Sequence, residues 1–109
     1  MPRRIMYLRD SNYNPIGCLV FSQNKLRTKV RYQLSVVHPA DNNGRFDKAF
    51  ARQLALGRLI DDRIVLEGFS GNETILTITS AIMLDIWNSK HPSIQARKAA
   101  DIWLSKHGL

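Results

Sequence analysis

A chain of 109 residues has room for one domain (1–109) around a single modest core. Sixteen Lys and Arg against nine Asp and Glu leave it at +7 with a sequence pI near 10.1, which points to partners among polyanions or phosphorylated small molecules. The single cysteine excludes an internal disulfide, and His38, His91 and His107 sit at no metal-ligand spacing from one another or from Cys18.

The opening MPRRIMYLRD carries basic residues without an apolar run behind them, so no secretory signal is expected. The most apolar stretch, Ile75 to Trp87, is interrupted by Thr77, Thr79, Ser80 and Asp85 and falls short of the roughly 20 apolar residues of a membrane span. The expectation is a cytoplasmic protein. Residues 3–9 and 16–22 are short apolar runs separated by SNYNP, and a second turn follows at SQNK. The third run, TKVRYQLSVVH, alternates: Val30, Tyr32, Leu34 and Val36 on one side, Lys29, Arg31, Gln33 and Ser35 on the other. That is a three-stranded antiparallel meander whose last strand has a basic outer face.

Pro39 ends that strand, and ADNNG leads into a helix. From Phe46 to Ile60 the apolar residues Phe46, Ala49, Phe50, Leu54, Leu56 and Ile60 form a broad stripe at helical spacing. Gly57 costs helix propensity, which predicts close approach of another backbone or chain there. RIVLEGFSGNETILTIT then reads as two strands about the turn SGNE, a hairpin, with helix as the competing reading for residues 73–79. From Ser80 the sequence AIMLDIWNS reads as a short helix. After HPS a last amphipathic helix follows, with Ser93 as N-cap, Gly108 as C-cap and Ile94, Ala99, Ile102 and Trp103 on its apolar side. The fold class is α+β: an N-terminal antiparallel β-meander, a central helix and β-hairpin, and two C-terminal helices.

No phosphate loop, dinucleotide fingerprint, nucleophile elbow or zinc-protease helix occurs. His38 with Asp41 and Asp47 reads as turn chemistry rather than an acid–base group, so no enzyme and no cofactor are expected. Arg45, Lys48 and Arg52 fall within about 60° on the central helix, near its first turns, where free backbone N–H groups and the positive dipole end favour an anion. Arg58 lies on a different side and needs a subunit interface to reach the same ligand. The alternative is a basic nucleic-acid-binding or host-protein-inhibiting chain, its phosphates tracked by Lys29 and Arg31 with Tyr7, Tyr13 and Tyr32 as stacking surfaces. Phe69 and Trp87 are further aromatics for a base, though core positions suit them as well.

The run HPADNNGRFDKAFARQLALGRL, residues 38–59, with its Pro and Asp turn, aromatic-Asp-Lys helix start and R-x-x-A-x-G-R-L, resembles small phage-encoded Thoeris anti-defence proteins of the first-described family. The similarity covers about a fifth of the chain in detail. It implies a non-enzymatic homo-oligomer that sequesters cyclic ADP-ribose isomers, with cyclic oligonucleotides as a further ligand class, in the cytoplasm of an infected bacterium. Phosphates would be held by Arg45, Lys48, Arg52 and Arg58, and polar contacts made by Asn42, Asn43 and the Gly44 backbone.

Overall fold

Side-chain alternation along the first third of the chain builds the sheet. A computed structural model describes residues 3–36, 46–88 and 93–108. Strands β1 (Arg4–Arg9), β2 (Pro15–Gln23) and β3 (Lys29–Val36) form the meander. Helix α1 (Lys48–Asp61) follows, then β4 (Ile64–Glu67), α2 (Ile75–Asn88) and α3 (Ile94–Lys106). All neighbours pair antiparallel in the order β1-β2-β3-β4. The α+β class, the meander, the central helix and the two C-terminal helices are as expected.

The expected hairpin at 64–79 is replaced by something else. β4 pairs back onto β3, Ile64 opposite Tyr32 and Glu67 opposite Lys29, and its would-be second strand is the first turn of α2. The turn residues explain the switch. Gly68 and Gly71 adopt φ of +93° and +102°, while Glu73 accepts hydrogen bonds from the Ser70 hydroxyl and backbone N–H. Thr74 Oγ1 then accepts from Thr77 N at 3.2 Å, which starts a helix five residues earlier than the sequence reading.

The sheet has two covered faces. Leu19, Phe21, Val30, Tyr32 and Leu34 pack with Ile78, Ile82, Met83 and Ile86 of α2 and with Ala96, Ala99, Ala100 and Leu104 of α3. On the opposite face Cys18 and Val20 meet Ala51, Ala55 and Leu59 of α1. Thus the outer face of β3 is basic only at its start. Gln33 and Ser35 are buried, because α1 folds back over them.

The buried side of α1 also differs from the expected stripe. It is the seam Ala51, Ala55, Leu59, whereas Phe50 and Ile60 face outward. Two alanines one turn apart let the helix backbone approach the sheet closely. The Ser35 hydroxyl therefore donates to the Ala51 carbonyl at 2.6 Å, and Gln33 Nε2 donates to the Asp62 carbonyl at the helix end. Gly57 is not the point of close approach, since a Cβ there would meet no atom within 4 Å. Gly17 is: a Cβ on it would lie 2.3 Å from the Ser35 carbonyl oxygen of the neighbouring strand.

Of the caps read from the sequence, Ser93 is in place, whereas α3 ends on His107 and the expected cap Gly108 lies one residue beyond it. Asp47 accepts from Phe50 N at 3.1 Å and Ser93 Oγ from Ala96 N at 3.1 Å, each satisfying a first-turn donor. Gly108 follows the His107 cap at φ +72°. On α3, however, Ala96, Ala99, Ala100 and Leu104 supply the buried side, and Ile94 is exposed. No helix among the described residues is long and apolar enough to cross a membrane.

Candidate ligand cleft at the edge of the sheet

Of the expected anion-site residues, Asn42, Asn43, Gly44 and Arg45 lie outside the described residues, as do His38 and Asp41. Lys48, Arg52 and Arg58 are all described, and the structure gives them different surroundings. Lys48 Nζ sits 5.0 Å above the Tyr7 ring on β1. Arg52, one turn further along the same side, is exposed, yet close enough to Cys18 for its charge to work against the upward push that burial exerts on the thiol. Arg58 turns the other way, about 120° from Arg52 around the helix. Its Nη1 donates to the Leu34 carbonyl at 3.0 Å, so it fastens the C-terminal half of α1 to β3.

A second cationic cluster forms where the β1–β2 turn meets the end of α3. The turn is built on Asp10, whose Oδ1 accepts from Asn12 N at 3.0 Å and Asn14 N at 2.9 Å, while its carbonyl accepts from Tyr13 N. This network holds Tyr13 at φ +66°, a region that bulky L-residues rarely occupy. A register irregularity between Leu8 and Arg9 precedes the turn, and such breaks re-aim the side chain that follows. Arg9 accordingly folds onto Tyr13, its guanidinium carbon 4.6 Å from the ring centroid and Nη1 donating to the Tyr13 carbonyl at 3.0 Å.

From the far end of the chain, Lys106 brings Nζ to 3.8 Å from the same Tyr13 centroid. One turn earlier on α3, Trp103 stacks on His107, with centroids 4.0 Å apart and planes 23° from parallel. His107 Nδ1 lies 2.8 Å from the Trp103 carbonyl oxygen. A carbonyl only accepts, so Nδ1 carries the proton and Nε2 of the neutral ring is left as an acceptor.

Between these groups is a cleft of about 230 Å³, floored by Met6, Leu8, Met83 and Ala99 and rimmed by Arg9, Asp10, Tyr13, Trp103, Lys106 and His107. Tyr7 lines it too, and so links the cleft across the β1 edge to Lys48 on α1. The chemistry on offer is an apolar floor, a flat aromatic shelf, two fixed cations, a carboxylate and one imidazole acceptor.

Sequence reasoning singled out Tyr13 as a stacking surface and missed Arg9, Trp103, Lys106 and His107. About ninety residues separate the two halves of the cleft, and no local spacing reports such a meeting. The one available signal is the SNYNP turn, which places an aromatic between two asparagines where small residues would serve.

Among the described residues no group of three or more His, Cys, Asp or Glu side chains is placed to hold a metal ion. Phe69 and Trp87 are not in this cleft: Phe69 packs against the main core and Trp87 is exposed on α2. Tyr32 is buried in the core rather than available for stacking, and its hydroxyl donates to the Asp85 carboxylate. No protein-family model, curated protein or solved structure matches the chain.

Proposed function

We propose that the protein binds a small cyclic nucleotide signal, a cyclic ADP-ribose isomer or a cyclic oligonucleotide, and holds it without cleaving it. The observation that carries this reading is the juxtaposition of Arg9 and Lys106 on Tyr13 beside the stacked Trp103–His107 pair. A nucleotide presents a planar ring and a phosphate a few ångströms apart. The indole–imidazole shelf suits the ring, and the cations held against Tyr13 suit the phosphate. The Asp10 carboxylate accepts from ribose hydroxyls, and His107 Nε2 accepts from an exocyclic amine or a further hydroxyl.

Size narrows the ligand. Sites that enclose a drug-sized molecule run from about 300 Å³ upward, so a cleft of about 230 Å³ takes one nucleotide portion and leaves the remainder outside. Lys48, held over the Tyr7 ring across the β1 edge, and Arg52 one turn further along α1 would extend the binding surface toward that remainder. Sequestration rests on Arg9 and Lys106, which attract phosphate, and among the described residues that line the cleft there is no serine, threonine or cysteine. An oligomer, by presenting several such clefts, would remove several ligands per particle.

A basic nucleic-acid binder is the second reading, favoured by Arg4, Lys25 and Arg27 around a hollow of about 210 Å³ beside Phe21 at the β2–β3 turn. Calorimetric titration with cyclic ADP-ribose isomers and cyclic oligonucleotides separates the two. The expected result is stoichiometric binding, recovery of unchanged ligand after heating, and at least tenfold weaker binding in Lys106→Ala and Tyr13→Asn. Asparagine tolerates the left-handed backbone, so the second variant removes the ring and keeps the turn. Binding only to polynucleotides, with affinity falling steeply as salt rises, would establish the second reading instead. Loss of the small ligand in Arg52→Ala but not in Lys106→Ala would move the site to α1.

A further inference from the structure

Strand β1 is one edge of the four-stranded sheet. It pairs with β2 on one side, and among the described residues no strand or loop bonds to the backbone of residues 4–8 on the other. An antiparallel edge of this kind leaves the N–H and C=O groups of every second residue free to pair with a further strand.

Two hollows lie beside that edge. One, of about 360 Å³, is lined by Arg3, Arg4, Met6, Ile75 and Thr79, and the other is the cleft of about 230 Å³ that ends on Arg9 and Lys106. Met6 belongs to both, and Thr79 in the first is one turn of α2 away from Met83 in the second. They are therefore consecutive stretches of one trough that follows β1, with α2 and then α3 as its far wall. Arg4 and Arg9 are about 17 Å apart along the strand, the reach of an extended segment of about six residues.

Charge selects the occupant. Arg3 and Arg4 stand at one end of the trough and Arg9 and Lys106 at the other, and among the described residues none of the four is in an ion pair. The carboxylate on the rim, Asp10, is turned to the Asn12 and Asn14 N–H groups of its own turn. A second copy of β1, laid antiparallel across a two-fold axis, would set Arg4 against Arg9, and like charges opposite one another disfavour that pairing. The other edge, β4, has four residues, follows Asp61 and Asp62 and ends on the Lys29–Glu67 ion pair, so it offers an acidic strand neither the length nor the charge. We infer that β1 takes an extended acidic segment of another protein as a fifth strand, its carboxylates held by the cations at the two ends and its small apolar side chains resting on Met6 and Met83 between them. The inference does not rest on the nucleotide reading, and the two ligands would compete only for the end at Arg9 and Lys106.

Fluorescence anisotropy of the full chain with a labelled peptide, Glu-Glu-Val-Thr-Val-Thr-Glu-Glu, tests it, since alternation puts Glu, Val, Val and Glu on one face of the added strand. Saturable binding is expected, at least tenfold weaker in Arg4→Glu with unchanged circular dichroism. Arg3→Glu does the same should Arg4→Glu disturb the strand, whereas Lys98→Glu, an equal change of charge at an exposed position of α3, leaves binding within about twofold. Two further peptides carry N-methyl groups on alternate amides, one on each edge of the strand. Only one of them is expected to lose binding, because a single edge of the added strand faces β1. Absence of saturable binding overturns the inference. So does equal binding of all three peptides, or equal weakening by Lys98→Glu and Arg4→Glu, either of which would mean attraction by charge without strand pairing. Binding of oligothymidylate that Arg4→Glu abolishes, with no binding of the peptide, overturns it too and assigns the trough to a nucleic acid.

Discussion

Two glycines in this chain have opposite reasons for being glycine, and replacing each by alanine tests the sheet and the helix at once. At Gly57, inside α1, the added Cβ meets nothing within 4 Å. The change therefore removes backbone freedom from the unfolded chain and a helix-propensity penalty from the folded one, a gain of about 0.5–1 kcal/mol. For a domain of this size that raises the unfolding midpoint by about 2–6 °C. At Gly17, in β2, the Cβ lands 2.3 Å from the Ser35 carbonyl oxygen, and ordinary contact begins at 3.4 Å. Relief needs a movement of about 1.1 Å, the difference between those two distances, by backbone in a central strand pair. The cost is about 1–3 kcal/mol, at the upper end because no flexible side chain can absorb it. Urea denaturation monitored by circular dichroism, with the slope held common to all variants, gives both values. A stabilised Gly17→Ala would refute the β2–β3 register, and a destabilised Gly57→Ala would mean that the space beside α1 is occupied.

The docking of α1 gives a further pair of expectations. Ser35→Ala, which deletes the buried donor to the Ala51 carbonyl, should cost about 1 kcal/mol, and Arg58→Ala should loosen the C-terminal half of α1 and speed amide exchange there. Burial, then the hydrogen bond to Asp85 and its charge, push the Tyr32 phenol well above its ordinary value of 10.0. The folded state therefore holds this proton more tightly than the unfolded chain. Its contribution is complete below pH 10 and is lost as the pH rises above that, at up to about 1.4 kcal/mol per pH unit. Tyr32→Phe should cost about 1–3 kcal/mol at neutral pH and flatten the alkaline limb of a stability-versus-pH curve. Cys18 is fully buried, and burial raises its thiol more than Arg52 lowers it, so a disulfide reagent should label it only at the rate of unfolding. Prompt labelling of native protein would contradict the packing of α1 on β2.

The elements that could be read from the chain are those whose signal is local. Alternation over residues 29–36 marks β3 and correctly assigns Val30, Tyr32 and Leu34 to the core, while Ser93 announces the start of α3. Residues 73–79 read either way because Ile75, Leu76 and Ile78 suit a partly covered strand as well as a helix. The Thr74 cap and the glycine turn decided for helix. The polar side of β3 carries a different lesson: Gln33 and Ser35 look solvent-facing unless one knows that α1 comes down over them, its Ala51 carbonyl accepting from Ser35 and the Asp62 carbonyl at its end accepting from Gln33.

The amino-acid sequence by itself determined the composition of the layers, three strands, a central helix and two final helices, together with a net charge of +7. Both are sums over neighbouring residues or over the whole chain, and neither depends on how distant segments meet. Tertiary structure alone decided which side of α1 touches the sheet, that β4 returns to β3, and that Arg9 and Tyr13 share a cleft with Trp103, Lys106 and His107. Those outcomes come from closing loops of tens of residues, where small side chains at Ala51, Ala55 and Gly17 set how near two backbones can come.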